Sequence, residues 1–138
     1  MSKSQQDSSD GAPTGVAAPR LSVGVIGTGR AGSVLGAALA RAGHKVVAAY
    51  GVSDLSRLRA EALLPEVPLV TPEEVLAKAD LVLITVPDDV LSELVTGLSA
   101  TGAFRAGQFI AHASGRYGIE VLDPATRTGA LPLALHPA

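Results

Sequence analysis

Three glycines stand in the spacing G-x-G-x-x-G within Gly27-Thr28-Gly29-Arg30-Ala31-Gly32. The apolar run Leu21-Ser22-Val23-Gly24-Val25-Ile26 precedes them and a helical pattern follows, so the segment reads as a strand turning directly into a helix. Glycine permits the tight turn at Gly27, lets backbone approach a phosphate at Gly29 and allows close helix-on-strand packing at Gly32. The unpaired amides and positive end of such a helix face an anion. The chemistry implied is dinucleotide binding, with Gly27, Thr28, Gly29, Arg30, Ala31 and Gly32 around the diphosphate. Arg30 has two readings, a cover over the diphosphate or a solvent-facing side chain. The competing account of the whole segment is a glycine turn needed only for packing.

About 20 residues beyond such a loop, an acid ordinarily accepts hydrogen bonds from the adenosine ribose. Here the chain reads Tyr50-Gly51-Val52-Ser53-Asp54, followed by Ser56, Arg57 and Arg59. Hydroxyls and guanidiniums in place of an acid at the strand tip favour a 2'-phosphate, because arginine suits bidentate phosphate contacts. Ser53 and Arg57 are therefore expected at the ribose end, with NADP as cofactor and NAD as the alternative through Asp54. Structurally, Ser53 or Asp54 would simply cap the next helix while Arg57 and Arg59 lie on its wet face. Further along, Thr85-Val86-Pro87 closes another apolar run, and Val86 and Pro87 are expected to border the cofactor with their backbone.

His112-Ala113-Ser114-Gly115 ends the next apolar run, where a doubly wound sheet approaches the nicotinamide end of a dinucleotide. His112 and Ser114 are the catalytic candidates, and Ser114 and Gly115 also stand as nicotinamide contacts. A hydrogen-bonded structural histidine is the competing account of His112. Asp88 and Asp89, just after Pro87, read as helix-start acids. His44 follows a helix-ending Gly43, and His136 is expected near the same cleft.

Other chemistries lack their residues. Three histidines without paired spacing and no cysteine make no metal site. G-x-S-x-G is absent, and the glycine loop lacks the G-K-[ST] ending of a nucleotide triphosphatase. With 138 residues, 47% of them hydrophobic, and a net charge of -2, the chain suits one globular domain without the basic surplus that nucleic acid requires. The lack of cysteine agrees with a cytoplasmic setting, and no apolar run approaches the roughly 20 residues that span a bilayer. The expected partner is a small-molecule substrate, with neither nucleic acid nor membrane.

The elements that must position these groups alternate strand with helix. Residues 1–20, rich in Ser, Gly, Pro and Asp, are expected to form a disordered tail. From 21 to 138 the pattern predicts a doubly wound α/β domain, with a mainly parallel six-stranded sheet and helices on both faces. The strands are Leu21 to Ile26, Lys45 to Tyr50, Val67 to Val70, Leu81 to Val86, Gln108 to His112 and Ala130 to Leu135. Ala31, Val34, Leu35, Ala38, Leu39 and Ala42 form an apolar stripe on the first helix. Thr71-Pro72-Glu73-Glu74 is a capping box opening a helix to about Lys78. A helix after Pro87 is expected to bury Val90, Leu91, Leu94, Val95 and Leu98.

Taken together, Gly27 to Gly32, Leu81 to Asp89, His112 to Gly115 and Gly129 to Pro137 resemble the N-terminal domain of bacterial, largely actinobacterial, Rossmann-like oxidoreductases. Deazaflavin-dependent NADP reductases, pyrroline-5-carboxylate reductases and 6-phosphogluconate-type dehydrogenases are more distantly similar. The resemblance covers about residues 21 to 138. It implies the coenzyme-binding half of an NAD(P)-dependent oxidoreductase that moves hydride to or from a small carbonyl, imine or hydroxy compound. Relatives continue into a helical C-terminal domain that closes the cleft and supplies catalytic groups and a homodimer interface; the chain is expected to be the fragment before it. They often carry Ser-Arg after the second strand, where this chain has Gly51 and Val52, so the NADP expectation rests on Arg57 or Arg59. The alternative is a noncatalytic dinucleotide-sensing module.

Overall fold

A computed structural model describes residues 21–51, 53–114 and 116–135. Five parallel strands form one sheet: β1 (Ser22–Ile26), β2 (Lys45–Tyr50), β3 (Leu81–Ile84), β4 (Phe109–His112) and β5 (Leu131–Ala134), in the spatial order β2-β1-β3-β4-β5. Between them run α1 (Arg30–Arg41), α2 (Asp54–Leu63), α3 (Pro72–Lys78) and α4 (Asp88–Ala100). A 3-10 turn at Ile119–Leu122 and a single helical turn, α5 (Asp123–Thr126), connect β4 to β5. These last two escape a periodicity reading because four residues are too few to show a period.

The remaining expected strand, Val67 to Val70, reaches the sheet as one parallel bridge between Leu69 and Ala49. Ala49 N–H donates to Pro68 O and Val70 N–H donates to Ala49 O. Pro68 has no N–H to extend the ladder, so the run borders β2 without becoming a full strand. Among the described residues, no helix is long and apolar enough to cross a membrane.

Alternation along β1 divides the core. Val23 and Val25 are fully buried beneath α1 in a cluster with Ala49, Leu83 and Ala111. Ile26 joins the larger cluster on the other face, where Val82, Ile84 and Ile110 meet Leu76 of α3 and Leu91, Val95 and Leu98 of α4. α1 packs differently from its predicted stripe. Its buried residues are Gly32, Ser33 and Gly36, whereas Val34 is 52% exposed and Ala31 and Ala38 face outward. The helix lies so close to the strand that only small residues fit beneath it; Leu35 and Leu39 pack along the rim. Val90 likewise stands out of the α4 face, at 37% exposure.

α3 is held at both ends. Thr71 Oγ1 accepts from Glu74 N–H while the Glu74 carboxylate accepts from Thr71 N–H, completing the predicted capping box. At the other end Gln108 Nε2 donates to Leu76 O and Ala79 O, both at 2.8 Å, and Arg105 donates to Ala79 O. Buried Gln108 thus supplies the orphan carbonyls of a seven-residue helix with donors.

Candidate functional site

The chain leaves β1 toward β2 on one side and enters β3 on the other, so the carboxyl ends of β1 and β3 flank the topological switch point. The glycine corner sits there. Gly27 has φ +100, and a Cβ on it would press on the Thr85 carbonyl and Val86 nitrogen at 2.8–2.9 Å. Thr85 Oγ1 donates to Gly27 O at 2.6 Å, tying the corner to the end of β3. A Cβ at Gly32 would collide with the Gly27 carbonyl and the Thr85 hydroxyl, whereas one at Gly29 would meet nothing within 4 Å. One glycine makes the turn, one permits packing, and the middle one leaves its backbone open to an incoming group.

Thr28 is fully buried, so its contribution to the corner is internal. Its hydroxyl donates to Ser56 O at 2.8 Å, fastening the corner to α2, and its carbonyl accepts from Ser33 Oγ at 2.9 Å. The first turn of α1 has no such partners. Gly29 provides no side-chain cap, no acid lies in that turn, and Arg30 and Ala31 are exposed. Helices α2, α3 and α4 start otherwise. Ser53 Oγ accepts from Ser56 N–H at α2, Thr71 and Glu74 box α3, and Asp88 and Asp89 open α4. A cation at a positive helix end is electrostatically adverse unless an anion joins it.

A cavity of about 400 Å³ beside the corner is lined by Gly27, Gly29, Ser53, Ser56, Arg59, Thr85, Val86 and Pro87. It brings the glycine loop, the start of α2 and the end of β3 to one place, with Arg59 as its cation. Arg57 lines a neighbouring hollow of about 270 Å³ with Tyr50, Gly51 and Thr71, and its guanidinium lies 3.4 Å from Asp54. Arg57 and Arg59 were indistinguishable by composition; helical phase separates them.

His112 and Ser114 stand at the end of β4, outside the lining of that cavity. His112 is 1% exposed and both ring nitrogens are engaged. Nδ1 accepts from Ser114 N–H at 3.1 Å and Nε2 lies 2.8 Å from Gly118 O, so the proton resides on Nε2. Ser114 Oγ accepts from the amides of Arg116 and Tyr117. Gly115 and His136 lie outside the described residues. His44, at the opposite end of the sheet, accepts from Leu21 N–H through Nδ1. Among the described residues no cluster of His, Asp and Glu could hold a metal ion.

A parallel, doubly wound sheet with an uncapped glycine corner at its switch point defines a dinucleotide-binding α/β domain. The sheet order and corner geometry are those of a known group: the chain belongs to the Rossmann-like domain family, whose match spans residues 3–137. No curated protein matches the chain. Among solved structures it is similar to 3-hydroxyisobutyrate dehydrogenase from Mycobacterium tuberculosis, determined with L-serine, at 26% identity and a TM-score of 0.66 over 82% of this chain. An imine reductase from Pseudomonas sp. aligns at 25% identity and a TM-score of 0.62 over 80%. A semialdehyde dehydrogenase NAD-binding protein from Cupriavidus necator, in complex with calcium and NAD, shares the fold at 21% identity and a TM-score of 0.58 over 70%. The chain spans 39%, 37% and 34% of those three proteins' lengths.

Proposed function

We propose that this chain is the coenzyme-binding part of an NAD(P)-dependent oxidoreductase with a preference for NADP(H). The observation that carries this reading is the start of α1, where exposed Arg30 stands on an uncapped, acid-free turn and Gly29 opens onto the cavity. A diphosphate there accepts the orphan amides and neutralises Arg30 at once. When bound, a nicotinamide dinucleotide supplies hydride exchange with a small carbonyl, imine or hydroxy compound. The similarity to a 3-hydroxyisobutyrate dehydrogenase and an imine reductase supports that class of chemistry.

The residues divide the work by position. The amides of Arg30, Ala31 and Gly32 hold the diphosphate. Arg59, with Ser53 and Ser56, takes the 2'-phosphate, because these three line the cavity. Arg57 has the smaller share, being turned toward Asp54. Val86 and Pro87 form the floor toward the nicotinamide, and Ser114 follows the end of the neighbouring strand β4. His112 is a positioning residue, since both ring nitrogens already serve the backbone.

Thermal denaturation with NADPH and with NADH tests the reading. NADPH should stabilise the chain more, and Arg59→Ala should lower the NADPH preference roughly tenfold or more, the scale of a charge-assisted contact. Arg57→Ala should leave the ratio nearly unchanged. No shift with either nucleotide at millimolar concentration would overturn the proposal.

A further inference from the structure

The segment between β4 and the 3-10 turn carries more organisation than a connection requires. The two ring nitrogens of His112 tie its beginning, at Ser114 N–H, to its end, at Gly118 O. Inside that clasp Ser114 Oγ receives Arg116 N–H at 3.0 Å and Tyr117 N–H at 3.1 Å. The Glu120 carboxylate accepts from Gly118 N–H and closes the outer side. Two neighbouring side chains are presented as a result. Tyr117 is half-buried and packs on the main core, while Arg116 is exposed with its guanidinium carbon 5.3 Å from the Tyr117 ring centre.

Arg116 is a cation on a fixed platform. Stacking on an anchored ring restricts its rotamers, so less entropy remains to be lost when it takes a ligand. Among the described residues the single ion pair is that of Arg57 with Asp54, and no carboxylate neutralises Arg116. Its location matters equally. Ile84 pairs with His112 in register, so β4 ends beside the end of β3, and the residues that follow Ile84, namely Thr85, Val86 and Pro87, line the nucleotide cavity.

Resting on the nicotinamide reading above, we infer that the substrate is a small carboxylate and that Arg116, stacked on Tyr117 and held in place by the His112–Ser114 clasp, receives its carboxyl group. A bidentate guanidinium–carboxylate pair orients the acid while leaving its reactive carbon toward the cofactor. Arg116 is thereby the specificity-determining residue, and His112 and Ser114 position it.

The test follows the Arg116 Nε–H resonance by NMR in the full chain with NADPH present, titrating propionate against uncharged propionamide at constant ionic strength. Propionate should produce a saturable shift, propionamide none. In Arg116→Gln, protection of neighbouring amides by propionate should fall roughly tenfold or more, with NADPH stabilisation retained. Ser114→Ala should weaken propionate binding too, and His112→Asn, which keeps an acceptor near Nδ1, should weaken it less than His112→Leu. A shift that never saturates, that propionamide reproduces, or that leaves the Arg116→Gln response unchanged overturns the assignment. A saturable propionate response without any NADPH binding would instead sink the cofactor reading and leave Arg116 as an anion site.

Discussion

Gly27 and Gly29 are two residues apart and sustain opposite burdens. At Gly27, φ +100 alone costs a side-chain-bearing residue about 1–3 kcal/mol, and the added Cβ also meets the backbone of Thr85 and Val86. Gly29 has φ -69 and open space around it. Gly27→Ala should therefore lower the unfolding free energy by more than about 2 kcal/mol, read by urea denaturation. Gly29→Ala should leave stability within about 0.5 kcal/mol yet weaken NADPH binding, because its methyl group stands where the diphosphate approaches. If Gly29→Ala bound NADPH as the parent does, the diphosphate would not lie on this corner. Gln108 offers a third residue-scale test. Replacing it by Leu removes donors to two helix-end carbonyls and the acceptor for Arg105 N–H, for a loss of about 1–3 kcal/mol.

At the scale of elements, the contrast between α1 and α3 separates function from stability. α3 has only seven residues and cannot persist on propensity, so its box and its Gln108 and Arg105 contacts hold it. Thr71→Ala should cost about 1 kcal/mol. The Thr71 N–H, then the Thr71 hydroxyl, keep the Glu74 carboxyl below its ordinary value of 4.5; desolvation opposes them, and Lys78 adds the weakest pull downward. A depressed folded value means that this stabilisation is complete above about pH 4.5 and is lost as pH falls through the lower folded value. Glu74→Gln, which still accepts from Thr71 N–H, should flatten that part of the melting-temperature profile below pH 4.5. An unchanged slope would show that Glu74 titrates alike in folded and unfolded chains. α1 lacks every one of these devices at its start, and in the proposed reading a bound diphosphate takes their place.

For the whole molecule, ligand binding and folding share one equilibrium. A nucleotide that binds only the folded chain adds RT ln(1 + [L]/Kd), about 2.7 kcal/mol at a hundredfold excess over Kd. NADPH should therefore raise the melting temperature progressively with the logarithm of its concentration, and a plateau would contradict single-site linkage.

The strand-helix alternation, the capping box at Thr71 and the glycine corner between β1 and α1 were legible because each depends on neighbours within a few residues. Three glycines in a fixed spacing, or a hydroxyl three residues before an acid, carry their geometry in local backbone rules. The partner of Gly27 is Thr85, that of Gln108 is the end of α3, and the His112 ring bonds two backbone groups of the loop that carries Arg116 and Tyr117. The apolar pattern of α1 was right only in part: Leu35 and Leu39 pack on the core, but the fully buried positions are Gly32, Ser33 and Gly36, because close packing there selects small residues. Which of Arg57 and Arg59 lines the cavity, and which backbone groups the His112 ring engages, were likewise decided only by the tertiary arrangement. Residue order restricts what each segment can be, but contact between segments distant in sequence is a property of the assembled sheet, where hydrogen bonds compete for the same few atoms.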